Sequence, residues 1–423
     1  MEKVKKVQKV LILSFIFIVF LSLSAYCEEY VKIGLKYNTK AVSSCKVSAY
    51  EDGAVIVNIG AENLINATDN AVNLLYDNGS IIVMDKNNVA PHFVMTDTSS
   101  FIEIGSTNNI VQLDGKAYRG TLIFTSTPNG IQVVNYVEIE DYLKSVVPSE
   151  MPSSWNIEAL KTQAVCARNY TVVNKGKLSK YGFDLDDTTA CQAYSGISSE
   201  TPRTTQAVEE TKGIIALYED KPASLFYYSS SGGYTEDVKN VWGSTNYPYL
   251  VSVPDPYDPL SKWEVKFTSS ELKDKLFSVG IDVGDITSVE VTKRTDAGRA
   301  LEVVITGLAG SYTAKLEKTR NVFGLKSSMY TISSSGEAVL TPKSVITEYG
   351  IENRYISRPV MTAKGIVPLE TAQGSPDEFV FTGYGWGHGI GMSQYGSKGF
   401  ADNGYTYDKI ILHYFPGTTL GTY

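Results

Sequence analysis

The stretch YVEIEDYLKSVVPSEMPSSW, residues 136–155, decides the fold, because here the chain changes from strand patterns to helical patterns. Its apolar residues are spaced as on one face of a helix: Ile139, Tyr142, Leu143 and Val146. We expect this helix to begin at Val137 and Pro148 to end it, since proline lacks the backbone donor that a helix needs.

Strand patterns flank this helical stretch on both sides. Short runs rich in Val and Ile, broken by turn signals such as Asn-Gly, dominate residues 28–135. A second helix is predicted from about residue 156 to 173, with Ser154 as its N-cap and Glu158 in its first turn. Beyond Tyr181 strand patterns return, without regular alternation of strand and helix. The sequence therefore predicts a β-rich α+β fold with a central helical pair.

Glu150 lies between two prolines, in the run VPSEMP at residues 147–152. Each proline pushes the residue before it toward an extended conformation, so we expect a stiff turn that holds Glu150 between the helices. Met151 and Trp155 would shield the carboxylate partly from water, and desolvation moves a carboxyl pKa toward the range of a general acid. The alternative is that Glu150 only caps the second helix.

The composition argues against two classes of function. With 38 Lys and Arg against 46 Asp and Glu, the formal net charge is -8, whereas nucleic-acid binding needs a cationic surface. A three-histidine zinc site would need every histidine of the chain, His92, His388 and His413, so zinc chemistry is not predicted. No other cofactor is predicted. The 28 tyrosines suit stacking on sugars, although a tyrosine-rich β protein is the plainer interpretation.

Residues 1–27 indicate the compartment. A lysine-rich start precedes an uncharged apolar run at residues 10–26, which is the pattern of a secretory signal peptide. The run is about as long as the shortest membrane-spanning helix of roughly 17 residues, so a cleaved signal and a retained membrane anchor are both open. The protein is predicted to be exported, to the cell wall or the outer face of the cytoplasmic membrane.

Several stretches of the chain resemble, in the same order, the family of stage II sporulation protein D and the amidase enhancers (SpoIID/LytB). The resemblance covers most of residues 115–330 and 378–420, and several independent motifs in order are more specific than any one of them. The matching stretches are residues 136–155, 158–170, 228–236, 241–243, 298–299, 320–327 and 383–396.

The resemblance implies a peptidoglycan lytic transglycosylase in which Glu150 is catalytic. Its carboxyl group would protonate the glycosidic oxygen as the bond to N-acetylmuramic acid breaks, and then accept the proton of the sugar's own C6 hydroxyl as that oxygen attacks C1. The product is a 1,6-anhydro end. A glycosidase that uses water normally needs a second carboxylate, and the nearby Glu138, Glu140 and Asp141 belong to the preceding helix.

The matching motifs also contain candidates for contacts with the glycan: Gln163, Arg168, Tyr228, Ser229, Ser230, His388, Ser393 and Gln394. Arg168 could pair with Glu150 or bind a substrate carboxylate, with a structural salt bridge as the alternative. The hydroxyls of residues 228–231 either contact sugar or satisfy the backbone of their own turn. The glycines around His388 allow close backbone approach, either to a glycan or to the helices.

The resemblance divides the chain into residues 1–27, a β-rich region at 28–114, and a SpoIID-like domain at 115–423 with an insertion at about 333–376. That insertion is more typical of the amidase enhancers. The second hypothesis is therefore a non-catalytic module that binds peptidoglycan and stimulates an N-acetylmuramoyl-L-alanine amidase. Some members bind zinc through Cys and His, but Cys191 has no histidine nearby, so no metal is predicted.

Overall fold

The computed structural model describes residues 29–59, 62–66, 70–334, 343–347, 350–354, 360–362, 365–367 and 378–423. The predicted signal segment and most of the predicted insertion lie outside these residues. The α-helices are α1 (Ile139–Glu150), α2 (Ile157–Val173), α3 (Pro202–Glu210), α4 (Val238–Trp242), α5 (Ser269–Phe277), α6 (Lys318–Phe323), α7 (Gln394–Asp402) and α8 (Tyr407–Tyr414). Within this part of the chain, no helix is both long and apolar enough to cross a membrane.

Strands are more numerous than helices, which confirms the predicted β-rich α+β class. The strands are β1 (Tyr30–Lys36), β2 (Ser44–Ala49), β3 (Val55–Ile59), β4 (Glu62–Asn66), β5 (Ala71–Asp77), β6 (Ser80–Asp85), β7 (Pro91–Met95), β8 (Ile102–Ser106), β9 (Ile110–Leu113), β10 (Lys116–Arg119), β11 (Thr121–Thr127), β12 (Gly130–Glu138), β13 (Leu185–Asp186), β14 (Ile214–Tyr218), β15 (Lys221–Pro222), β16 (Tyr227–Tyr228), β17 (Lys262–Thr268), β18 (Ile286–Arg294), β19 (Ala300–Gly307), β20 (Gly310–Lys315), β21 (Tyr330–Ser334), β22 (Lys343–Thr347), β23 (Gly350–Arg354), β24 (Val360–Thr362), β25 (Gly365–Val367), β26 (Glu378–Tyr384), β27 (Met392–Ser393) and β28 (Thr419–Thr422).

The chain forms two compact units, and neither is continuous in sequence. The first consists of Met1–Ser153, Thr171–Ile214 and Thr422–Tyr423, and the second of Ser154–Tyr170 and Ile215–Gly421. The division therefore falls three residues after Glu150 and again inside α2.

The first unit contains two sheets whose strands are mostly antiparallel. Their strand orders are β13-β1-β12-β11-β8-β3-β4 and β10-β9-β2-β5-β6-β7. The predicted boundary between residues 114 and 115 lies in the turn that joins the paired strands β9 and β10. Strand β12 runs directly into α1, because Glu138 ends the strand and is also the N-cap of the helix.

Pro148 does not end the first helix, so that prediction is wrong. Helix α1 continues through Pro148 to Glu150, and Val147 is helical. A proline removes one donor from the helix, but the next bonds remain: the N–H of Met151 donates to the carbonyl of Val147 at 2.9 Å, and the hydroxyl of Ser149 donates to the carbonyl four residues before it at 2.8 Å. Met151, which precedes the second proline, is extended as predicted.

The second helix begins one residue after its cap, which is Asn156 and not the predicted Ser154. The side-chain oxygen of Asn156 accepts the N–H of Glu158 at 3.1 Å, as an N-cap does. Its amide nitrogen donates to the carbonyl of Ala401 at 2.9 Å. Glu158 lies in the first turn, as predicted, and accepts the N–H of Tyr407 at 2.8 Å. These bonds tie the start of α2 to α7 and α8.

Small sheets build the second unit. One has the order β17-β26-β21 and another β18-β19-β20, and both pack on a common apolar core that includes Phe267, Phe323 and Phe381. Strands β22 and β23 pair with each other, as do β24 and β25. Strand β16 pairs in parallel with β27, so that Tyr228 lies beside Ser393. This pairing brings two of the motifs found in the sequence side by side, although they are far apart along the chain.

Candidate functional site

Glu150 is the last residue of α1, and its side chain is half-buried. Its Oε1 atom accepts a hydrogen bond from the backbone N–H of Ala193 at 3.2 Å. The residue after it, Met151, is completely buried and extended. A buried residue on one side and a backbone donor from a separate segment fix where the carboxylate lies in the first unit.

Hydrogen bonds to buried residues of the first unit hold the segment that carries Ala193. Gln192 is completely buried, and its Oε1 accepts from the hydroxyls of Thr171 at 2.9 Å and Tyr142 at 3.4 Å. The hydroxyl of Tyr194 donates to Oδ1 of Asn135 at 2.8 Å. Sequence reasoning missed this support, because it placed Tyr142 only on the apolar face of the first helix.

The other acidic residues of α1 have structural contacts. Glu140 is buried and accepts the backbone N–H of Gly213 at 3.2 Å. Asp141 pairs with Lys144 one turn later, at 2.9 Å between Oδ1 and Nζ. The contact of Asp141 agrees with a structural role for that carboxylate, and the two contacts leave Glu150 as the acid of α1 with a chemical role to test.

In the second unit, Asp258 gathers the polar groups of two predicted motifs. Its carboxylate accepts from the hydroxyls of Ser230 at 2.9 Å and Ser393 at 3.2 Å, and from the backbone N–H groups of Ser231 at 2.8 Å and Gly232 at 3.3 Å. The Ser393 oxygen also accepts an N–H in the first turn of α7. The hydroxyls of Ser230 and Ser393 are thus used inside the protein, which favours the structural alternative for them. Contact of either hydroxyl with sugar stays a prediction.

His388 and Tyr228 are neighbours, with ring centroids 5.1 Å apart. The Nδ1 atom of His388 accepts the backbone N–H of Ile390 at 3.0 Å. Burial, together with the nearby charges of Arg320 and Arg299, lowers the pKa of His388 to about 3. The imidazole is therefore neutral near pH 7, and it is suited to packing or hydrogen bonding and not to acting as a cation.

The glycine-rich loop around His388 approaches other parts of the protein closely. Gly389 has a φ of +89°, and a Cβ there would lie 2.6 Å from Cζ of Arg299. A Cβ at Gly387 would lie equally close to Cβ of Tyr228. The Arg299 guanidinium is buried and donates from Nη2 to the carbonyl of Ser231 at 2.8 Å. These contacts explain the glycines by packing within the second unit, and contact of the loop with a glycan stays a prediction.

The remaining candidates also lie in the second unit. The side chains of Gln163 and Gln394 meet at 3.5 Å, and both are buried. Arg168 is completely buried on α2, so the structure gives its guanidinium no exposed surface for a substrate carboxylate. Ser229 is half-buried, and its carbonyl accepts the N–H of Tyr395 at 2.9 Å. Substrate contact by these four side chains stays a prediction.

Cysteine chemistry finds no support in the geometry. Cys166 is completely buried, with its sulfur 3.8 Å from that of Met392, and burial raises the pKa of its thiol. Cys45 is buried and Cys191 half-buried, and all three are free thiols. Within the described ranges, no three residues among His, Cys, Asp and Glu come together as a metal site would require.

Asp255, which lies near the Asp258 network, makes the stability of the second unit depend on pH. Asp255 is 1 % exposed and accepts from the hydroxyl of Tyr414 at 2.9 Å, yet burial raises its pKa from 3.8 to about 6. Between those two values the folded protein holds a proton that the unfolded chain has lost, so stability falls as the pH rises through this window.

We therefore expect Asp255→Asn to remove this part of the pH dependence. Relative to wild type, the variant should gain about 2–3 kcal/mol in unfolding free energy between pH 4 and pH 7. Urea denaturation of both proteins at the two pH values measures the change. Equal pH dependence in the two proteins would mean that Asp255 does not retain its proton in the folded state.

The comparisons with known proteins agree with the motifs. A family model described as "Stage II sporulation protein" (SpoIID) matches residues 127–218. The amidase enhancer of Bacillus subtilis (strain 168) is 35% identical over 335 residues, which cover 75% of this chain and 46% of that protein, so the chain spans about half the length of that relative.

Two relatives are matched over most of their own length. Stage II sporulation protein D of Bacillus subtilis (strain 168) is 30% identical over 308 residues, which cover 68% of this chain and 76% of that protein. Stage II sporulation protein D of Bacillus amyloliquefaciens is 29% identical over 306 residues, which cover 68% of this chain and 75% of that protein. The resemblance found in the motifs is therefore confirmed, and the chain belongs to the stage II sporulation protein D family.

Proposed function

We propose that the protein is a peptidoglycan lytic transglycosylase with Glu150 as its general acid and base. Membership of the family and the names of the relatives support a role in the cell wall and in sporulation. The observation that carries the proposal is the setting of Glu150: a half-buried carboxylate at the end of α1, held by the N–H of Ala193. Its substrate is the glycan strand of peptidoglycan, which it meets after export to the wall or the outer face of the membrane.

A single carboxyl group can carry out the whole reaction. Protonated Glu150 gives its proton to the glycosidic oxygen as the bond from C1 of N-acetylmuramic acid breaks. The C6 hydroxyl of the same sugar then bonds to C1, and Glu150 takes up the proton that this hydroxyl loses. No water is consumed, and the carboxyl group returns to its starting state. The N–H of Ala193 donates to Oε1 of Glu150 and helps to hold the carboxyl group in place.

A second candidate is activation of an amidase without cleavage of glycan. The observation that favours it is the 35% identity to a protein named amidase enhancer, over 75% of this chain. Here the same surfaces would bind peptidoglycan, and Glu150 would have no chemical role. The partner would be an N-acetylmuramoyl-L-alanine amidase of the cell wall.

One experiment separates the two candidates. The purified protein is incubated with peptide-free glycan strands, and separately with intact peptidoglycan and a cell-wall amidase. The proposed transglycosylase releases products with 1,6-anhydro ends from the first substrate. If no such ends form and the amidase becomes faster in the presence of the protein, the enhancer is the correct function.

A further inference from the structure

The second unit contains a pocket that the proposed chemistry does not use. Its volume is about 380 Å³, within the range of roughly 300–1,000 Å³ that is typical of small-molecule sites. The residues that matter for its chemistry are an aromatic pair and four charged side chains: Trp242, His388, Lys315, Glu317, Lys318 and Arg320. All of them belong to the second unit, so the pocket is complete within it.

One wall of the pocket is aromatic and uncharged. Trp242, at the end of α4, is 45% exposed. Its indole is held from behind by Phe226, with ring centroids 4.8 Å apart and an edge-to-face angle of 79°, and by His388 at 5.3 Å. His388 is neutral, as described above, and its ring is fixed by the N–H of Ile390. A fixed and exposed indole face is a common platform for the apolar face of a sugar ring.

The other side of the pocket carries excess positive charge. Among the lining residues, Lys315, Lys318 and Arg320 stand against one acid, Glu317, in a chain whose formal net charge is -8. Lys315 also pairs with Glu302 at 3.7 Å, so the excess positive charge comes from Lys318. Glu317 pairs with Arg320 at 2.8 Å and so fixes the guanidinium beside the pocket. Lys318 is exposed to solvent. The pocket therefore offers cationic donors close to an aromatic platform.

We propose that this pocket binds a pyranose ring that carries a carboxylate, with the ring on Trp242 and the carboxylate against Lys318 and Arg320. The inference rests on the proposed function for its ligand, because N-acetylmuramic acid in a glycan strand exposes a lactyl carboxylate where the peptide is missing. Hydrogen bonds between ionised partners are about twice as strong as neutral ones, so the carboxylate would add clearly to the affinity.

Binding measured without cleavage tests this assignment. The full chain with Glu150→Gln is titrated calorimetrically with peptide-free glycan oligosaccharide, and with chitin oligosaccharide of the same length, which lacks the carboxylate. We expect the first ligand to bind about tenfold more tightly. Lys318→Glu should remove this preference and leave the affinity for chitin unchanged, whereas Trp242→Ala should weaken both ligands. Lys409→Glu, an exposed lysine on α8, is the matched control and should change neither affinity.

Three results would overturn the assignment. Equal affinity of the parent protein for the two saccharides would mean that no carboxylate is recognised. A retained preference in Lys318→Glu would place recognition elsewhere. Tighter binding of a glycerol-phosphate polymer than of the glycan would assign the pocket to phosphate. Because the titrations need no catalysis, a wild-type protein that fails to make anhydro ends but shows the predicted preference would disprove the proposed enzyme and leave the pocket supported.

Discussion

Glu150→Gln is expected to lower the rate at which anhydro ends appear by a factor of about 10²–10⁴, the usual contribution of a general acid–base group. Glutamine has nearly the same shape, and its side-chain oxygen can still accept the N–H of Ala193 that the Glu150 carboxylate accepts. It cannot give a proton to the glycosidic oxygen or take one from the C6 hydroxyl. Initial rates on peptide-free glycan strands, followed by chromatography of the products, measure the loss.

The control for this variant is another acid of the same helix. Asp141→Asn removes a carboxylate that pairs with Lys144, and it should change the rate by no more than about twofold, since a partly exposed ion pair contributes little. Stimulation of an amidase, if the protein has that activity, should survive in Glu150→Gln. A Glu150→Gln protein that works at the wild-type rate would remove Glu150 from the mechanism.

Asp258→Ala is expected to destabilise the protein by about 3–5 kcal/mol. The carboxylate is 6% exposed and accepts from two hydroxyls and from the backbone N–H groups of Ser231 and Gly232. Without it these buried donors lose their acceptor, and each unsatisfied group costs about 1–3 kcal/mol. Urea denaturation at pH 7 measures the change.

Two further variants show whether the network explains the loss. Asp274→Asn alters an exposed aspartate on α5 and should stay within about 0.5 kcal/mol of wild type. Ser393→Ala removes one hydroxyl donor and the cap of α7, so an intermediate loss of about 1 kcal/mol is expected. Wild-type stability of Asp258→Ala would show that the turn at Ser230 and Ser231 does not depend on this carboxylate.

Periodicity and motif order predicted the class of fold and two helices on either side of the segment near Glu150, because both predictions depend on local patterns. The details at the helix ends were less predictable. Pro148 removes one donor from α1, and only Ser149 and Glu150 follow it before the helix ends. Asn156 caps α2 in place of Ser154, and its second bond, to Ala401, comes from a part of the chain far away in sequence.

The support of the candidate residues could not be predicted, because it depends on contacts over long sequence separations. Asp258 lies in the run PDPYD at residues 254–258, which has the composition of an exposed turn, yet it is buried and bonded to Ser393. The hydroxyl of Ser230 made this residue a candidate for contact with sugar, but in the structure that hydroxyl donates to Asp258. The position of Ser230 in a motif therefore did not show that its hydroxyl is used inside the protein.

The most direct test of the proposed function is the mass of the new ends formed on peptide-free glycan strands in isotopically labelled water. A lytic transglycosylase uses the sugar's own hydroxyl, so the new ends should be one water lighter than a hydrolysis product and should carry no label. Reducing ends that contain the label would show hydrolysis, and the absence of any new ends would show that the protein does not cut glycan; either result would rule out a lytic transglycosylase.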